Sequence, residues 1–280
     1  MILSKRFQVL VLENRARKPR HHRLRARKPR YLGLGARKQG TKAYNNKACL
    51  KRERRITMDF ERARFNMVEQ QIRPWRVIDQ AVLESHLQLR REDFVPPAMR
   101  QLAFSDVEIP LHIDSVDSGQ CMLAPKVDAR LVQALEIKRG ESVLEIGTGS
   151  GWMAALLASR AMRVVSLEIH EGLANFAREN LKRAGLYQVE VIHADGSKPS
   201  ATTLAEWDVV VLSGSVETVP NELLGRLKPG GRLAAIVGRR PVMQAQCITK
   251  AASGAPLVEN LFETIAPSLI GFSRPSHFRL

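Results

Sequence analysis

The feature that most constrains this chain is a short apolar run that breaks into three glycines at alternate positions. Residues 143–151 read VLEIGTGSG, and such a run predicts a buried parallel strand that ends in a tight turn and opens a helix. Glycine reaches the positive φ angles of such a turn, and without a Cβ it lets a ligand come close to the main chain. The segment predicts a nucleotide-type site, although a strand with a glycine turn also occurs in other α/β proteins.

The spacing of the glycines separates two classes of ligand. Dinucleotide-binding folds place glycines at relative positions one, three and six, and counting from Gly147 the sixth position holds Trp152. Glu145 is expected to set a carboxylate beside the loop, which suits a ligand with ammonium and sulfonium charges better than a pyrophosphate. The pattern therefore favours S-adenosylmethionine.

Two later strands are predicted to end at the same edge of the sheet. Residues 163–168 read RVVSLE, and residues 189–193 precede Ala194, Asp195 and Gly196. Glu168 is in position to hold a ribose diol through two hydrogen bonds from one carboxylate. Asp195 is in position to read an adenine amino group, so that Glu145, Glu168 and Asp195 are expected to share one rim.

The rest of the chain alternates between helical and extended patterns. Helices are predicted at 60–100, 151–160, 171–184 and 220–227, with a turn at 228–231 before a strand at 232–237, and paired edge strands at 245–250 and 258–265. Strand and helix in repetition predict a parallel sheet covered on both faces.

Segments upstream of the glycine loop carry a family resemblance. Residues 91–96 read REDFVP, residues 108–111 read EIPL, and Gly119 and Gln120 precede Pro125. With the glycine loop and the later acidic residues, they resemble the class I S-adenosylmethionine-dependent methyltransferases and, among these, the protein-L-isoaspartate O-methyltransferase family, over roughly residues 58–240.

The resemblance implies a Rossmann-like, doubly wound α/β fold with a mostly parallel seven-stranded sheet. It implies an N-terminal helical cap and substrate loop at 58–125 and an S-adenosylmethionine-binding domain at 126–280. The activity implied is carboxyl O-methylation of L-isoaspartyl residues in damaged proteins. The cofactor-binding residues implied are Glu145, Gly147, Gly149, Gly151, Glu168, Asp195 and Gly196, and the acceptor loop contributes Gln120 and Leu123.

The acceptor loop departs from the family pattern Gly-Gln-Thr-Ile-Ser-x-Pro. Leu123 stands at the serine position, and residues 112–118 form a longer link than the family has. A leucine side chain neither donates nor accepts a hydrogen bond. Two interpretations remain open: altered or weakened isoaspartyl activity, or recruitment to another acceptor. A carboxylate acceptor is already ionised at neutral pH and needs no general base.

The first 57 residues differ in composition from the rest. They hold 19 Lys and Arg residues against Glu13 and Glu53, so the leader accounts for the whole net charge of +16. Its motif ARKPR occurs twice and ARKQG follows. So much charge with little apolar content predicts disorder. A nucleic-acid-binding arm, a targeting segment and upstream sequence joined to a natural start at Met58 are the three explanations, and the last is favoured.

Other patterns limit the compartment and the partners. No stretch approaches the roughly 20 apolar residues of a membrane span, and Cys49, Cys121 and Cys247 form no disulfide framework or metal pattern. We therefore expect a cytoplasmic monomer without a metal, whose partners are isoaspartyl-containing proteins. Nucleic acid is a partner only if the leader belongs to the protein, and a non-catalytic cofactor-binding or RNA-associating protein is the third hypothesis.

Overall fold

A computed structural model describes residues 58–113 and 116–273. The predictions for the basic leader, with Cys49, lie outside the described residues, as do positions 114–115 and 274–280. The strands of the described residues are β1 Ile109–Ile113, β2 Val116–Met122, β3 Ser142–Ile146, β4 Arg163–Glu168, β5 Val189–His193, β6 Trp207–Val216, β7 Leu227–Arg239, β8 Val242–Thr249 and β9 Leu257–Glu263. The α-helices are α1 Phe60–Met67, α2 Gln80–Gln88, α3 Pro125–Leu135, α4 Trp152–Ala158, α5 Glu171–Arg183, α6 Ala201–Leu204 and α7 Asn221–Gly225.

Seven strands form one sheet in the order β5-β4-β3-β6-β7-β8-β9. The first five of that order are parallel, whereas β8 is antiparallel to β7 and β9 is antiparallel to β8. Strands β1 and β2 form a separate antiparallel hairpin. The doubly wound, mostly parallel seven-stranded sheet is confirmed.

The core lies on both faces of this sheet because successive strand residues point to opposite sides. In β3, Val143 joins a cluster with Leu131 of α3 and Leu156 of α4, and Leu144 joins a second cluster with Leu223 of α7. Burial on both faces explains why the strand reads as a continuous apolar run.

The segment before the sheet forms a cap of short helices. After α1, residues 68–72 form a π-helical turn, residues 73–75 a 3-10 turn that contains Pro74, and α2 begins behind Asp79, whose carboxylate accepts a hydrogen bond from the Ala81 amide. Residues 91–93 and 97–102 are further 3-10 turns. The N-terminal helical segment is present, but it is interrupted, since a proline removes an amide donor.

Several predicted boundaries after residue 220 are wrong, including those of the edge strands expected at 245–250 and 258–265, which are Val242–Thr249 and Leu257–Glu263. The helix expected at 220–227 covers only Asn221–Gly225, and the expected turn at 228–231 lies within β7, which already begins at Leu227. A Cβ on Gly231 would come within 3.0 Å of the Asp208 carbonyl oxygen, so this glycine allows close approach of the neighbouring strand. The bounds predicted for β4 and β5 and the pairing of the two last strands are confirmed. None of the helices in the described ranges has the length and apolar content of a membrane span.

Candidate active site

A cleft, called the main cleft below, runs along the carboxyl edge of the parallel strands. Its walls come from Gly147 and Gly149, from the residues that end β4 and β5, from Gln120 and Cys121, and from the segment 269–272. The cleft lies at β3, whose neighbours β4 and β6 belong to opposite halves of the sheet. This is the edge at which doubly wound sheets bind ligands.

The glycine loop adopts backbone angles that few other residues adopt. The φ angles of Gly147, Gly149 and Gly151 are +93°, +56° and +84°. A Cβ on Gly147 would lie 2.8 Å from the Leu269 side chain, and one on Gly149 would lie 3.1 Å from Leu111. Gly147 and Gly149 therefore form a floor that a ligand can approach closely, whereas Gly151 is outside the lining of the cleft and caps α4 against α5.

Glu168 ties the end of β4 to the glycine loop. One carboxylate oxygen accepts a hydrogen bond from the Gly149 amide at 2.8 Å, and the other accepts one from the His170 amide at 3.0 Å. The residue lines the main cleft with only 4% of its surface exposed. Because a carboxylate oxygen has more than one lone pair, Glu168 retains capacity to accept hydrogen bonds from a diol in the cleft.

Glu145 occupies a different position from the one the sequence suggested. The sequence pattern predicts a carboxylate beside the ligand, but the Glu145 side chain is fully buried and does not line the main cleft. Its two oxygens accept hydrogen bonds from the hydroxyls of Ser166 and Ser213 at 2.5 and 2.7 Å. Burial raises the pKa of this carboxyl to about 8, although the two hydroxyls act in the opposite direction. Glu145 thus supports the loop from below.

Asp195 also differs from its expected placement. Its carboxylate accepts hydrogen bonds from the Ser197 amide and hydroxyl at 3.0 and 2.6 Å and pairs with Lys198. The Ser197 hydroxyl is the main reason that the pKa of Asp195 is lowered. Its neighbours Ala194 and Gly196 line the main cleft, whereas the Asp195 carboxylate does not. Of the three carboxylates expected on one rim, only Glu168 reaches the cleft.

The segment after β9 closes one side of the main cleft, a role that sequence analysis missed. The Ser215 amide donates to the Pro267 carbonyl, and the Leu269 amide donates to the Ser215 carbonyl, both at 2.8 Å. A Cβ on Gly214 would lie 2.9 Å from the Leu269 side chain. The small residues that follow the apolar part of β6 were the available signal, because they allow another chain segment to pack closely.

The acceptor loop lies beside the main cleft, as the resemblance implied. Gln120 and Cys121 line the cleft. Burial raises the pKa of the Cys121 thiol to about 12, and Glu108 adds to this shift, so the thiol is protonated and a poor nucleophile at neutral pH. Leu123 is 6% exposed and lies between two further cavities.

The first of these cavities is called the inner chamber. It is lined by Met122 and Leu123 of the acceptor loop, by Gly149 and Ser150 of the glycine loop, and by Asp128 and Trp152 near the starts of α3 and α4. The second, called the outer groove, is lined by Trp75, by residues 106–108 and 241–243, and by Lys126. The inner chamber shares Cys121, Gly147 and Gly149 with the main cleft, so the two are adjacent.

A buried ion pair borders the inner chamber, and sequence analysis did not identify it. Arg91 Nη1 lies 3.2 Å from Asp128 Oδ2, and Arg91 also donates to the carbonyls of Leu123 and Ala103 at 2.7 and 3.0 Å. Burial raises the pKa of Asp128 to about 7, while Arg91 and then the Trp152 indole act in the opposite direction. No local sequence pattern joins Arg91 and Asp128, which are 37 positions apart.

Neither histidines nor carboxylates form a metal site in the described ranges. No group of three or more His, Cys, Asp and Glu side chains there has the arrangement that could hold a metal ion.

Comparison with known proteins identifies the family. Residues 62–266 match the family model described as protein-L-isoaspartate(D-aspartate) O-methyltransferase. The chain is 40% identical to protein-L-isoaspartate O-methyltransferase of Methanoculleus marisnigri over 64% of its own length and 79% of that protein, and 33% identical to the enzyme of Petrotoga mobilis over 72% and 92%.

Solved structures show the same fold. A Plasmodium falciparum protein assigned as a protein-L-isoaspartate O-methyltransferase, in complex with S-adenosyl-L-homocysteine, superposes with a TM-score of 0.61 at 21% identity. The match covers 76% of this chain and 99% of that one. The family model matches residues 62–266, which include most of the cap, the acceptor loop and the seven-stranded sheet. The chain therefore belongs to the protein-L-isoaspartate(D-aspartate) O-methyltransferase family.

Proposed function

We propose that the protein transfers a methyl group from S-adenosylmethionine to the carboxylate of L-isoaspartyl residues in damaged proteins. The observation that carries the proposal is that the family match runs without interruption from residue 62 to residue 266. It includes both the residues of the main cleft and the acceptor loop at Gln120 and Leu123. The cap and substrate loop at 58–125 and the cofactor domain at 126–280 would then work as one catalytic unit.

The residues of the main cleft fit this cofactor. Glu168 would accept hydrogen bonds from the ribose hydroxyls, since its buried carboxylate faces the cleft. Gly147 and Gly149 would admit the methionine part, because their positive φ angles and missing Cβ atoms bring the main chain to the cleft surface. The backbone at Ala194 and Gly196 would border the adenine, with Asp195 acting through the turn that it fixes.

Two further residues of the predicted cofactor set would act without touching the ligand. Glu145 would hold Ser166 and Ser213 beneath the loop, and Gly151 would allow α4 to start close to α5. The bound cofactor supplies an electrophilic methyl group on a sulfonium.

The chain has to position the acceptor for an in-line displacement, in which alignment supplies most of the rate enhancement. One acceptor oxygen forms the new bond to carbon, the carbon–sulfur bond breaks with its electron pair going to sulfur, and the acceptor becomes a neutral methyl ester. No proton has to be removed, because the carboxylate is ionised at neutral pH. Gln120 would help to orient the acceptor, since it lines the main cleft beside Cys121.

A second candidate is methylation of a different acceptor by the same fold. It is favoured by one observation: Leu123 removes a hydroxyl, and Asp128 places a carboxyl group at the same chamber. A carboxylate accepts hydrogen bonds, so such a chamber would also suit an acceptor that donates them, such as an amine or a hydroxyl.

The experiment that tests the proposal is transfer of labelled methyl to an isoaspartyl peptide and to its aspartyl twin, with protein that starts at Met58. Base-labile label on the isoaspartyl peptide alone is the expected result. Binding of S-adenosylmethionine without transfer to either peptide would overturn the proposal and favour the second candidate.

For the setting of the protein we propose a cytoplasmic monomer that acts on isoaspartyl proteins. The absence of a disulfide framework in the sequence supports a reducing compartment. RNA binding would require the basic leader, whose charge would bind phosphates in a strongly salt-dependent way. Deleting residues 1–57 would then abolish RNA binding. Unchanged RNA binding after the deletion would show that the leader is not the RNA-binding segment.

A further inference from the structure

We infer that the indole N–H of Trp152 binds one oxygen of the acceptor carboxylate in the inner chamber, in place of the serine hydroxyl that the acceptor loop lacks. This inference rests on the proposed function, because it names a positioning residue for the same acceptor. It concerns the oxygen that does not attack the methyl group, so the bond changes of the transfer are unaltered.

The indole nitrogen is a buried donor whose hydrogen bond is poorly satisfied. Trp152 is 2% exposed and lines the inner chamber. Its Nε1 forms no well-aligned hydrogen bond with the described residues, although it lies near enough to the Asp128 carboxyl to lower the pKa of that group. An indole N–H can only donate, and buried donors in native proteins are almost always paired. A partner is therefore expected to come from the chamber, and that partner has to be a hydrogen-bond acceptor, as a carboxylate is.

The direction of this N–H is fixed by the packing of the cap. The Trp152 ring makes edge contacts with His86 and Phe94, with ring centres 5.8 and 5.4 Å apart. The guanidinium carbon of Arg91 lies 5.1 Å from its ring centre. A donor held in this way loses little freedom when it binds, which is the requirement for a group that orients a substrate.

The charges around the chamber permit an anionic acceptor. Asp128 lies close enough to the Trp152 indole to be influenced by it but forms its ion pair with Arg91, which balances its charge. Burial raises the pKa of Glu145 to about 8, so this carboxyl is mostly protonated at neutral pH. An acceptor carboxylate therefore competes for the Trp152 N–H with a neighbour whose charge is already paired, and the chamber does not add two uncompensated negative charges.

The chamber also lies where the acceptor has to be. It contacts Gly147 and Gly149, which border the main cleft, on one side and Leu123 on the other. Leu123 in turn lines the outer groove, which is open to approach by a peptide. Leu123 is the residue that lines both the outer groove and the inner chamber, so a peptide in the outer groove would lie next to the chamber that contains Trp152.

Indole resonances test this inference without requiring turnover. The full chain contains three tryptophans, Trp75, Trp152 and Trp207, and Trp152→Phe assigns the Trp152 indole N–H in a nitrogen–proton correlation spectrum. Addition of the isoaspartyl peptide with S-adenosylhomocysteine is expected to move this resonance downfield. The aspartyl twin should leave it in place. Trp207 is an internal control, because its Nε1 already donates to the Thr202 carbonyl at 3.1 Å.

Kinetics of Trp152→Phe give the second measurement. Phenylalanine preserves an aromatic ring against His86 and Phe94 but removes the N–H. We expect KM for the isoaspartyl peptide to rise at least tenfold, with the dissociation constant of S-adenosylhomocysteine within twofold of the wild-type value.

The outcomes separate the inference from the proposed function. Methyl transfer by the wild type, with no movement of the Trp152 resonance or with an unchanged KM in the variant, overturns the inference and leaves the proposed function intact. No transfer and no movement of the resonance with either peptide overturns both. A resonance that moves on addition of S-adenosylhomocysteine alone assigns the N–H to the cofactor and also overturns the inference.

Discussion

The two sides of the site differ in how their polar groups are held. On the cofactor side, Glu168 accepts hydrogen bonds from the main chain of the loop next to it, and Glu145 is satisfied by two serine hydroxyls. On the acceptor side, the ion pair of Arg91 and Asp128 joins the cap to α3, and Trp152 keeps an unpaired donor. The cofactor side is thus built by neighbouring strand ends, and the acceptor side by contacts between distant segments.

This difference explains which features can change within one family. Residues of the cofactor side are constrained by backbone geometry, since Gly147 and Gly149 adopt angles that few side chains allow. The acceptor side depends on side chains, such as those of Leu123 and Asp128, which line the inner chamber. Substrate preference is therefore expected to diverge while the cofactor stays the same.

The largest effect, a loss of unfolding free energy, is expected from removing the positive charge of Arg91 on the acceptor side. In Arg91→Met the buried Asp128 loses its ion-pair partner, and two carbonyls lose a donor. Removal of one partner of a buried pair destabilises a protein by about 3–5 kcal/mol. Urea denaturation of protein that starts at Met58 measures the free energy of unfolding.

The matched control is Arg163→Met, because Arg163 pairs with Glu190 on the surface. Exposed pairs contribute about 0–1 kcal/mol, so this variant should unfold close to the wild type. Equal losses of unfolding free energy in the two variants would show that the buried pair of Arg91 and Asp128 contributes no more to stability than the exposed pair.

A smaller effect is expected from the carboxylate of the cofactor side. Glu168→Ala removes the acceptor for the Gly149 amide and, under the proposed function, for the ribose hydroxyls. It should weaken binding of S-adenosylmethionine by about 1.5–3 kcal/mol, the range for a hydrogen bond to a charged group. Isothermal titration calorimetry measures the affinity. An unchanged affinity would show that the cofactor site lies elsewhere.

The sequence indicated more of the cofactor side than of the acceptor side, for a physical reason. The glycine loop, Glu168 and the order of strand and helix follow from local patterns, and each was predicted with its residues. Glu145 was misplaced because the sequence identifies a strand end but leaves open whether a carboxylate turns toward the ligand or toward buried serines of adjacent strands.

The unpredicted contacts of the acceptor side and of the segment after β9 join distant segments. Arg91 and Asp128 are 37 residues apart, and Ser215 and Ala266, joined by a hydrogen bond, are 51 residues apart. No periodicity marks such partners. The segment 269–272, which closes the main cleft, had no readable pattern of its own, so its role depends entirely on the tertiary fold.

The buried carboxyl of the cofactor side should make stability depend on pH. Burial raises the pKa of Glu145 to about 8 from an unfolded value of 4.5. Between these values the folded protein binds more protons than the unfolded chain, so the stability from this group is full below about pH 4.5 and falls as the pH rises toward 8. The slope for one proton is at most about 1.4 kcal/mol per pH unit.

Comparing wild type and Glu145→Gln by urea denaturation at pH 5.5, 6.5 and 7.5 isolates this contribution, because glutamine is neutral at each pH and keeps a similar shape. The wild type should lose stability relative to the variant as the pH rises. A constant difference between the two proteins would show that Glu145 keeps the same protonation state in the folded and unfolded chains.

The smallest effect is expected from Asp195→Ala, and it separates two ways in which a strand end can serve a cofactor. The Asp195 carboxylate binds Ser197 and Lys198 and does not line the main cleft, whereas Ala194 and Gly196 do. Loss of this turn contact should cost about 0.5–1.5 kcal/mol of unfolding free energy, the net value of a typical hydrogen bond. The affinity for S-adenosylmethionine, measured by the same calorimetry, should change less than in Glu168→Ala.

If Asp195→Ala instead weakens binding as much as Glu168→Ala does, the carboxylate contacts the adenine directly, and the turn has to rearrange when the cofactor binds. In that case the cofactor side would also depend on a side chain that changes its partners. Only the loop of Gly147 and Gly149 would then differ from the acceptor side in being held by backbone geometry.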